Sequence, residues 1–140
     1  MNSIRESVFY QEVLKEINMH YGNFYFFDGF IVSEVFKNVV FGWEEAKPIV
    51  NAATSFYNTD GSKLVYISNR INKYSVKPVD WFHFANYSFK LMGYGVVNYT
   101  DPGLINSKLE SLFVKSKFKS FTSLMDALQW AAALKNSVKS

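Results

Sequence analysis

The segment from Val65 to Pro78 constrains the fold of this 140-residue chain more than any other part of the sequence. It opens with a short β-rich run that ends at Ile67, continues with the polar cluster Ser68-Asn69-Arg70, and then reaches Pro78. This order is typical of the place where a buried strand ends, a loop follows and a helix begins. Proteins of the α/β class often carry their working residues at such junctions. We therefore expect a strand over residues 64–67, a polar loop after it and a helix from Pro78.

The first third of the chain has the periodicity of strands. Residues 14–21 end in alternation between apolar and polar side chains, which is typical of a strand with one buried face. Asp28-Gly29 then separates two β-rich arms, residues 24–27 and 30–35. Because glycine accepts the positive φ of a type I′ turn, this dipeptide predicts a hairpin. Three antiparallel strands are therefore expected to open the domain.

Four helices are expected in the remainder. The first follows Trp43, with apolar residues at spacings of three and four, and Pro48 leaves two alternatives open. Either this helix begins later than Trp43 or it bends at Pro48, because proline removes an interior hydrogen bond. Capping residues and first-turn prolines predict the other three helices, which begin at Pro78, at Asp101-Pro102 and at Thr122 or Ser123. Residues 94–99 and 118–121 supply two further strands, the second at an edge.

The predicted fold class is α/β (α+β mixed), with N-terminal antiparallel β-hairpin strands joined to a βαβα unit. A mixed central sheet is packed by about four helices. Residues 13–136 form a single domain, with a lead-in over residues 1–12 and a C-terminal tail over residues 137–140. A chain of this length is expected to hold one domain.

Two segments carry a family resemblance. The order of elements resembles that of the SpoIIAA-like proteins of the STAS superfamily. The resemblance is carried by the central run of residues 66–78 and by the closing run Phe121-Thr122-Ser123-Leu124-Met125-Asp126-Ala127-Leu128-Gln129-Trp130. The likeness spans residues 14–135 and points to an uncharacterised bacterial subgroup. It implies a protein-interaction module, since STAS domains are mostly of that kind. It also implies an alternative, because the structurally similar CRAL-TRIO domains bind lipids in an apolar cavity.

The same resemblance bears on Ser75. In the anti-sigma-factor antagonists of the superfamily, a serine at a strand–helix junction is phosphorylated, and this event releases a partner. Ser75 lies near the equivalent junction, but its surroundings read Tyr74-Ser75-Val76-Lys77 where the antagonists have Asp-Ser-Ser-Gly.

The candidate interaction patch consists of Ser68, Asn69, Arg70, Tyr74 and Ser75. The planar guanidinium of Arg70 can clamp a phosphate or a carboxylate, while Ser68 and Asn69 supply hydrogen bonds. The structural alternative is that Arg70 and Asn69 satisfy loop carbonyls and hold the junction in shape. The sequence leaves both open.

Other polar residues offer little support for catalysis. Lys115, Lys117 and Lys119 alternate along the predicted edge strand, where lysines commonly prevent edge-to-edge aggregation. His20 is expected on the polar face of a strand and His83 among aromatic residues of a helix, with no partner at metal-ligand spacing. There are no cysteines and no glycine-rich phosphate loop. We therefore predict no catalytic residue, no cofactor and no metal.

Aromatic residues make up 19% of the chain, and the composition alone does not tell where in the fold they lie. Trp81, Phe84 and Tyr87 lie off the main stripe of the second predicted helix. They can line a ligand groove, form a dimer interface or make a second buried contact.

The expected function is a non-catalytic regulatory or protein-interaction module. The alternative is a small-molecule or lipid-binding carrier, in which aromatic and aliphatic side chains would line a cavity. We expect a protein partner of unknown identity, with a homodimer and a small apolar ligand as further possibilities. A net charge of +3 argues against nucleic acid, and no apolar run is long enough to span a bilayer. The expected location is the cytoplasm.

Overall fold

The computed structural model describes residues 2–59, 61–76, 80, 91–100 and 117–137. Within them the strands are β1 (Lys15–Met19), β2 (Gly22–Phe26), β3 (Phe30–Val35), β4 (Val40–Phe41), β5 (Val65–Arg70), β6 (Ser75–Val76), β7 (Gly93–Asn98) and β8 (Phe118–Phe121). The α-helices are α1 (Trp43–Tyr57) and α2 (Leu124–Ser137), and Val8–Glu12 forms a short 3-10 helix.

The main sheet has six strands in the order β1-β2-β3-β5-β7-β8. Strands β1 to β3 pair in antiparallel fashion, which confirms the predicted opening of the domain. Strands β3, β5, β7 and β8 are parallel to one another, and β8 lies at the edge as the sequence predicted. The sheet is therefore mixed, and β3 joins the antiparallel strands β1 and β2 to the parallel strands β5, β7 and β8.

The hairpin between β2 and β3 differs from its predicted turn type. Gly29 has a φ of 86°, but Asp28 lies outside the positive-φ region. A type I′ turn needs positive φ at both central residues, so that assignment is wrong. The turn is held from outside as well, because the carboxylate of Asp28 forms an ion pair with Lys135 of α2.

Helix α1 begins at Trp43 and continues through Pro48, so the alternative of a later start is wrong. The first turn is stabilised by acceptors for its N–H groups. The Glu45 carboxylate accepts from the Gly42 N–H at 2.8 Å, and the Asp80 carboxylate accepts from the Trp43 N–H at 2.9 Å. Asn58, with a φ of 53°, ends the helix in the left-handed region.

The expectation of about four helices is not supported, because the described residues hold two α-helices. The helices predicted from Pro78 and from Asp101-Pro102 lie largely outside the described residues. The last predicted helix is confirmed as α2. Of its two candidate caps, Ser123 performs this role, since its Oγ accepts from the Asp126 N–H at 3.4 Å.

The two helices cover opposite faces of the sheet, because successive side chains of a strand point to opposite sides. Phe24, Ile31 and Leu64 pack towards α1. Tyr25, Val32, Val65 and other residues of the alternate set pack towards α2 and Ile4. The α2 side is closely packed against β7, where Gly93 and Gly95 leave room for Trp130.

Gly95 provides a test of this close approach. A Cβ added there would lie 2.7 Å from the Ile67 Cδ1 atom and 3.0 Å from the Trp130 ring. We predict that Gly95→Ala lowers the free energy of unfolding by about 1–3 kcal/mol, because overpacking forces core side chains to shift. Urea denaturation would measure this loss. Ser120→Ala on the exposed side of β8 is the control and should change stability by less than ~0.5 kcal/mol. An equal effect of the two variants would contradict the close packing.

Candidate functional site

Ser68, Asn69 and Arg70 lie inside strand β5 and not in a loop. The predicted strand end at Ile67 is therefore wrong. The strand continues because these three residues pair with Val96, Val97 and Asn98 of β7, and that pairing satisfies their backbone groups. Ser68 and Asn69 are each only 1% exposed.

Strand alternation then divides the predicted patch between the two faces of the sheet. Ser68 and Arg70 face the α1 side, where the Arg70 Nε donates to the Ser68 Oγ at 3.0 Å. The Tyr74 hydroxyl lies 3.1 Å from the same Ser68 oxygen, and the Arg70 guanidinium carbon lies 5.6 Å from the centre of the Tyr74 ring. Three of the five predicted residues therefore form one hydrogen-bonded group. We call Ser68, Arg70 and Tyr74 the arginine cluster.

Asn69 points to the opposite face and belongs to a network that centres on Glu34. Glu34 Oε2 accepts from the Ile4 N–H at 2.8 Å and from Asn69 Nδ2 at 2.9 Å. Asn69 also donates to the Asn2 carbonyl at 2.9 Å and accepts from the Tyr99 hydroxyl at 2.7 Å. This network fixes the N-terminal segment, whose Ile4 is fully buried. The role of Asn69 is therefore to join strands and segment together.

Glu34 is a buried carboxyl that the sequence analysis missed. Burial raises its pKa above the ordinary value of 4.5, and the bonds from Ile4 and Asn69 act in the opposite direction. The signal in the sequence was the single acidic residue within the β-rich arm of residues 30–35. Its partners come from positions far along the chain, so periodicity could not identify them.

Ser75 is exposed and lies in β6, which pairs in parallel with β4 as a separate two-stranded ribbon. The sequence did not predict this ribbon. Val40 stands opposite Ser75, and the Ser75 N–H donates to the Val39 carbonyl at 3.0 Å. Two apolar side chains are exposed in this region, Val40 in β4 and Phe36 on the segment that leads into the ribbon. We call Phe36, Val40 and Ser75 the ribbon patch.

A cavity of about 160 Å³ lies between α1 and the sheet. Phe24, Ile31, Phe41, Ile49, Ala53 and Leu64 build much of its apolar wall. Arg70 and Tyr74 of the arginine cluster also line it, as does Tyr66, whose hydroxyl donates to the Ser33 Oγ at 2.6 Å. Among the described residues of its lining, the side chains are mainly apolar and Arg70 is the one that carries a formal charge.

The remaining predicted residues are scattered. Lys117 and Lys119 are exposed along the β8 edge, and the ammonium of Lys119 lies 5.5 Å from the centre of the Phe121 ring. His20 is exposed in the turn that follows β1. The predictions for Lys115 and His83, and for the aromatic group Trp81, Phe84 and Tyr87, fall outside the described residues.

Two general features of the described residues bear on function. They contain no group of three or more His, Asp or Glu side chains that could hold a metal ion. Of the helices in the described part of the chain, none has the length and apolarity to cross a membrane.

No protein-family profile matches the chain, and no curated protein matches it. A solved structure does: the crystal structure of an uncharacterised protein from the DUF3478 family with a SpoIIAA-like fold, from Shewanella loihica PV-4. The two share a TM-score of 0.57 and 10% sequence identity, over 84% of this chain and 90% of that chain. The chain therefore has a SpoIIAA-like α/β fold, which confirms the predicted resemblance at the level of the fold.

The Glu34 network predicts a pH dependence of stability. The pKa of Glu34 is raised in the folded state above its unfolded-state value of 4.5. The contribution of this carboxyl group to the free energy of unfolding therefore falls as the pH rises from the unfolded-state pKa through the folded-state pKa. Glu34→Gln keeps an acceptor oxygen but removes the titration. We predict that the unfolding free energy of the wild type declines relative to that of Glu34→Gln over this window. Urea denaturation at successive pH values would measure the difference. A difference that is constant with pH would contradict the raised pKa.

Proposed function

We propose that this chain is a non-catalytic regulatory or protein-interaction module, and that the ribbon patch is the surface that meets its partner. The observation that carries the proposal is the exposure of Val40, which stands opposite Ser75, together with that of Phe36 on the segment that leads into the ribbon. Single exposed apolar residues are common on protein surfaces. Here one of them, Val40, stands opposite the serine that the family resemblance singles out, on a short ribbon outside the main sheet, and the other precedes that ribbon in the chain.

The surroundings of the ribbon patch indicate the chemistry of the partner. Lys37 and Lys73 are exposed close to it, and the Lys73 carbonyl accepts from the Asn38 N–H at 2.8 Å. A partner surface with an apolar centre and acidic residues at its rim would complement this arrangement. A different protein is therefore the first partner to test and a second copy of this chain the next, because the same patch on two copies would bring like charges together. We do not expect nucleic acid as a partner, and we propose that the protein is located in the cytoplasm.

The arginine cluster is connected to the ribbon through Tyr74. Tyr74 precedes Ser75 in the chain, and its ring packs edge-on against Phe41 of β4 with centroids 6.3 Å apart. The ribbon is thereby connected to Arg70 and Ser68. A change at Ser75, such as the addition of a phosphate, would act close to this cluster.

A second candidate function is the carrier of a small ligand. The cavity beneath α1 favours it, since an apolar cavity with a few polar groups is the usual form of a small-molecule site. This function needs no contact at the ribbon patch, so the two candidates can be tested separately.

A photo-crosslinking amino acid at position 40 would test the interaction surface. Val40 is 54% exposed, and Met125 on α2, at 52%, provides a matched control position. We predict covalent adducts from position 40 under at least one of two conditions. With the purified protein the adduct should have the mass of a dimer, and in extract of the native host it should have the mass of a heteromeric complex. Position 125 should yield background only. Adducts should also be lost when Phe36 is changed to Glu, because a buried charge opposes apolar association.

Two results would contradict the interaction surface. One is equal crosslinking from positions 40 and 125, and the other is the absence of adducts from position 40 under both conditions. Circular dichroism of each labelled protein would establish that the fold is retained.

A further inference from the structure

The N-terminal segment, residues 2–14, is attached to the α2 face of the sheet through one fully buried side chain. Ile4 lies in the core of that face, whereas every other residue of the segment is half-buried or exposed. Phe9 and Val13 pack against the same core while half-buried, and the 3-10 helix Val8–Glu12 contains no buried residue. The segment is therefore anchored at Ile4 and does not form a layer of the fold.

The sheet recognises the main chain of this anchor through two side chains. Glu34 of β3 accepts from the Ile4 N–H at 2.8 Å, and Asn69 of β5 donates to the Asn2 carbonyl at 2.9 Å. The Asn69 amide also donates to the Glu34 carboxyl at 2.9 Å, and the two residues are only 1% and 4% exposed. Main-chain groups are common to all peptides, because every residue except proline has an N–H and every residue has a carbonyl. A segment of another protein can therefore make the same contacts.

Two adjoining features of the site select side chains. An aliphatic group suits the anchor position, where Ile4 is enclosed by an apolar core. A cation suits the next position, because the Arg5 Nε donates to the Glu16 carboxylate at 3.0 Å and the Arg5 Nη2 donates to the Asn18 Oδ1 at 3.1 Å. Both acceptors belong to β1, and charge complementarity at Glu16 favours arginine or lysine after the anchor.

A second copy of this chain has no advantage as the source of such a segment. Its own Ile4 is already buried in its own site, so an exchange between copies would form the same contacts again. Association would then cost translational and rotational freedom without a compensating gain. A different protein whose aliphatic and basic residues are not engaged elsewhere gains contacts when it replaces the N-terminal segment.

We propose that the α2 face holds a peptide-binding site, which residues 2–5 of the same chain occupy in the absence of a partner. The ligand is a segment of a partner protein in which an aliphatic residue is followed directly by arginine or lysine. Glu34 and Asn69 bind its main chain, and Glu16 binds its basic side chain. This surface shares no residue with the ribbon patch, so it is a second contact beyond the proposed function.

A peptide added to a full-length variant with a vacated site provides the test. The probe is the blocked peptide Asn-Ser-Ile-Arg-Glu-Ser-Val-Phe, residues 2–9 of this chain, with a fluorescent label for anisotropy. Ile4→Asp vacates the site, because a charge is disfavoured in the apolar core. We expect this protein to bind the peptide at least about tenfold more tightly than the wild type does, since the wild-type site is already occupied.

Matched variants keep the result specific to the site. Val8→Asp places the same charge on the same segment at a residue that is 71% exposed, and it should bind the peptide no better than the wild type. The milder Ile4→Ala replaces Ile4→Asp if thermal unfolding shows that the latter is not folded. The peptide variant Ile4→Ser should bind the vacated protein at least about tenfold more weakly than the parent peptide, because it lacks the aliphatic anchor.

A charge reversal tests the location. The peptide variant Arg5→Glu should bind the vacated protein more weakly than the parent peptide, because its carboxylate would meet Glu16. When Glu16→Lys is added to the vacated protein, the order of the two affinities should reverse. A loss of fold in this protein would weaken both peptides alike and would not reverse their order.

Three results would overturn the proposal. Absence of peptide binding by folded Ile4→Asp and Ile4→Ala proteins would show that residues 2–5 are only a structural part of the domain. Equal affinities of the parent and Ile4→Ser peptides, or an order of affinities that Glu16→Lys leaves unchanged, would place the peptide elsewhere. A 1:1 complex of Ile4→Asp with the wild type in native mass spectra would make a second copy the occupant. None of these results affects the crosslinking from position 40, which concerns the ribbon patch alone.

Discussion

The pairing of β5 at the centre of the sheet is the constraint on which the rest of the structure depends. This strand pairs with β7 along its whole length and with β3 from Val65 to Ser68. Its backbone groups are therefore satisfied, and each side chain must enter one of two layers. Val65, Ile67 and Asn69 enter the α2 layer, whereas Ser68 and Arg70 enter the α1 layer. Polar residues that look contiguous in the sequence thus serve two separate sites.

The two layers differ in how they use these polar residues. On the α2 side, Asn69 and Glu34 hold the N-terminal segment against the sheet, and Ile4 completes the core. On the α1 side, Arg70 adjoins a cavity that the helix leaves open above the strands. The sheet therefore has a closely packed layer on one face and a layer with a cavity on the other.

Local signals in the sequence predicted much of the fold. The alternation before Tyr21, the glycine at position 29 and the helical spacing after Trp43 all correspond to observed elements. Propensity failed at Ser68-Asn69-Arg70, because serine and asparagine favour loops locally whereas strand pairing with β7 outweighs that preference. The ribbon of β4 and β6 was missed for a related reason, since two-residue strands have no periodicity. The Glu34 network and the cavity depend on residues distant in sequence, and only the folded arrangement brings them together.

Hydrogen–deuterium exchange of the β5 amides, measured residue by residue by NMR, tests most directly whether the polar residues belong to the central strand. In a strand paired on both sides, the amides of Ser68 and Asn69 should exchange as slowly as those of Val65 and Ile67, because they open only in large-scale unfolding. Exchange as fast as that of the exposed Lys73 amide would show that residues 68–70 form a loop. That result would contradict the division of the patch between two faces and, with it, the placement of Arg70 at the cavity.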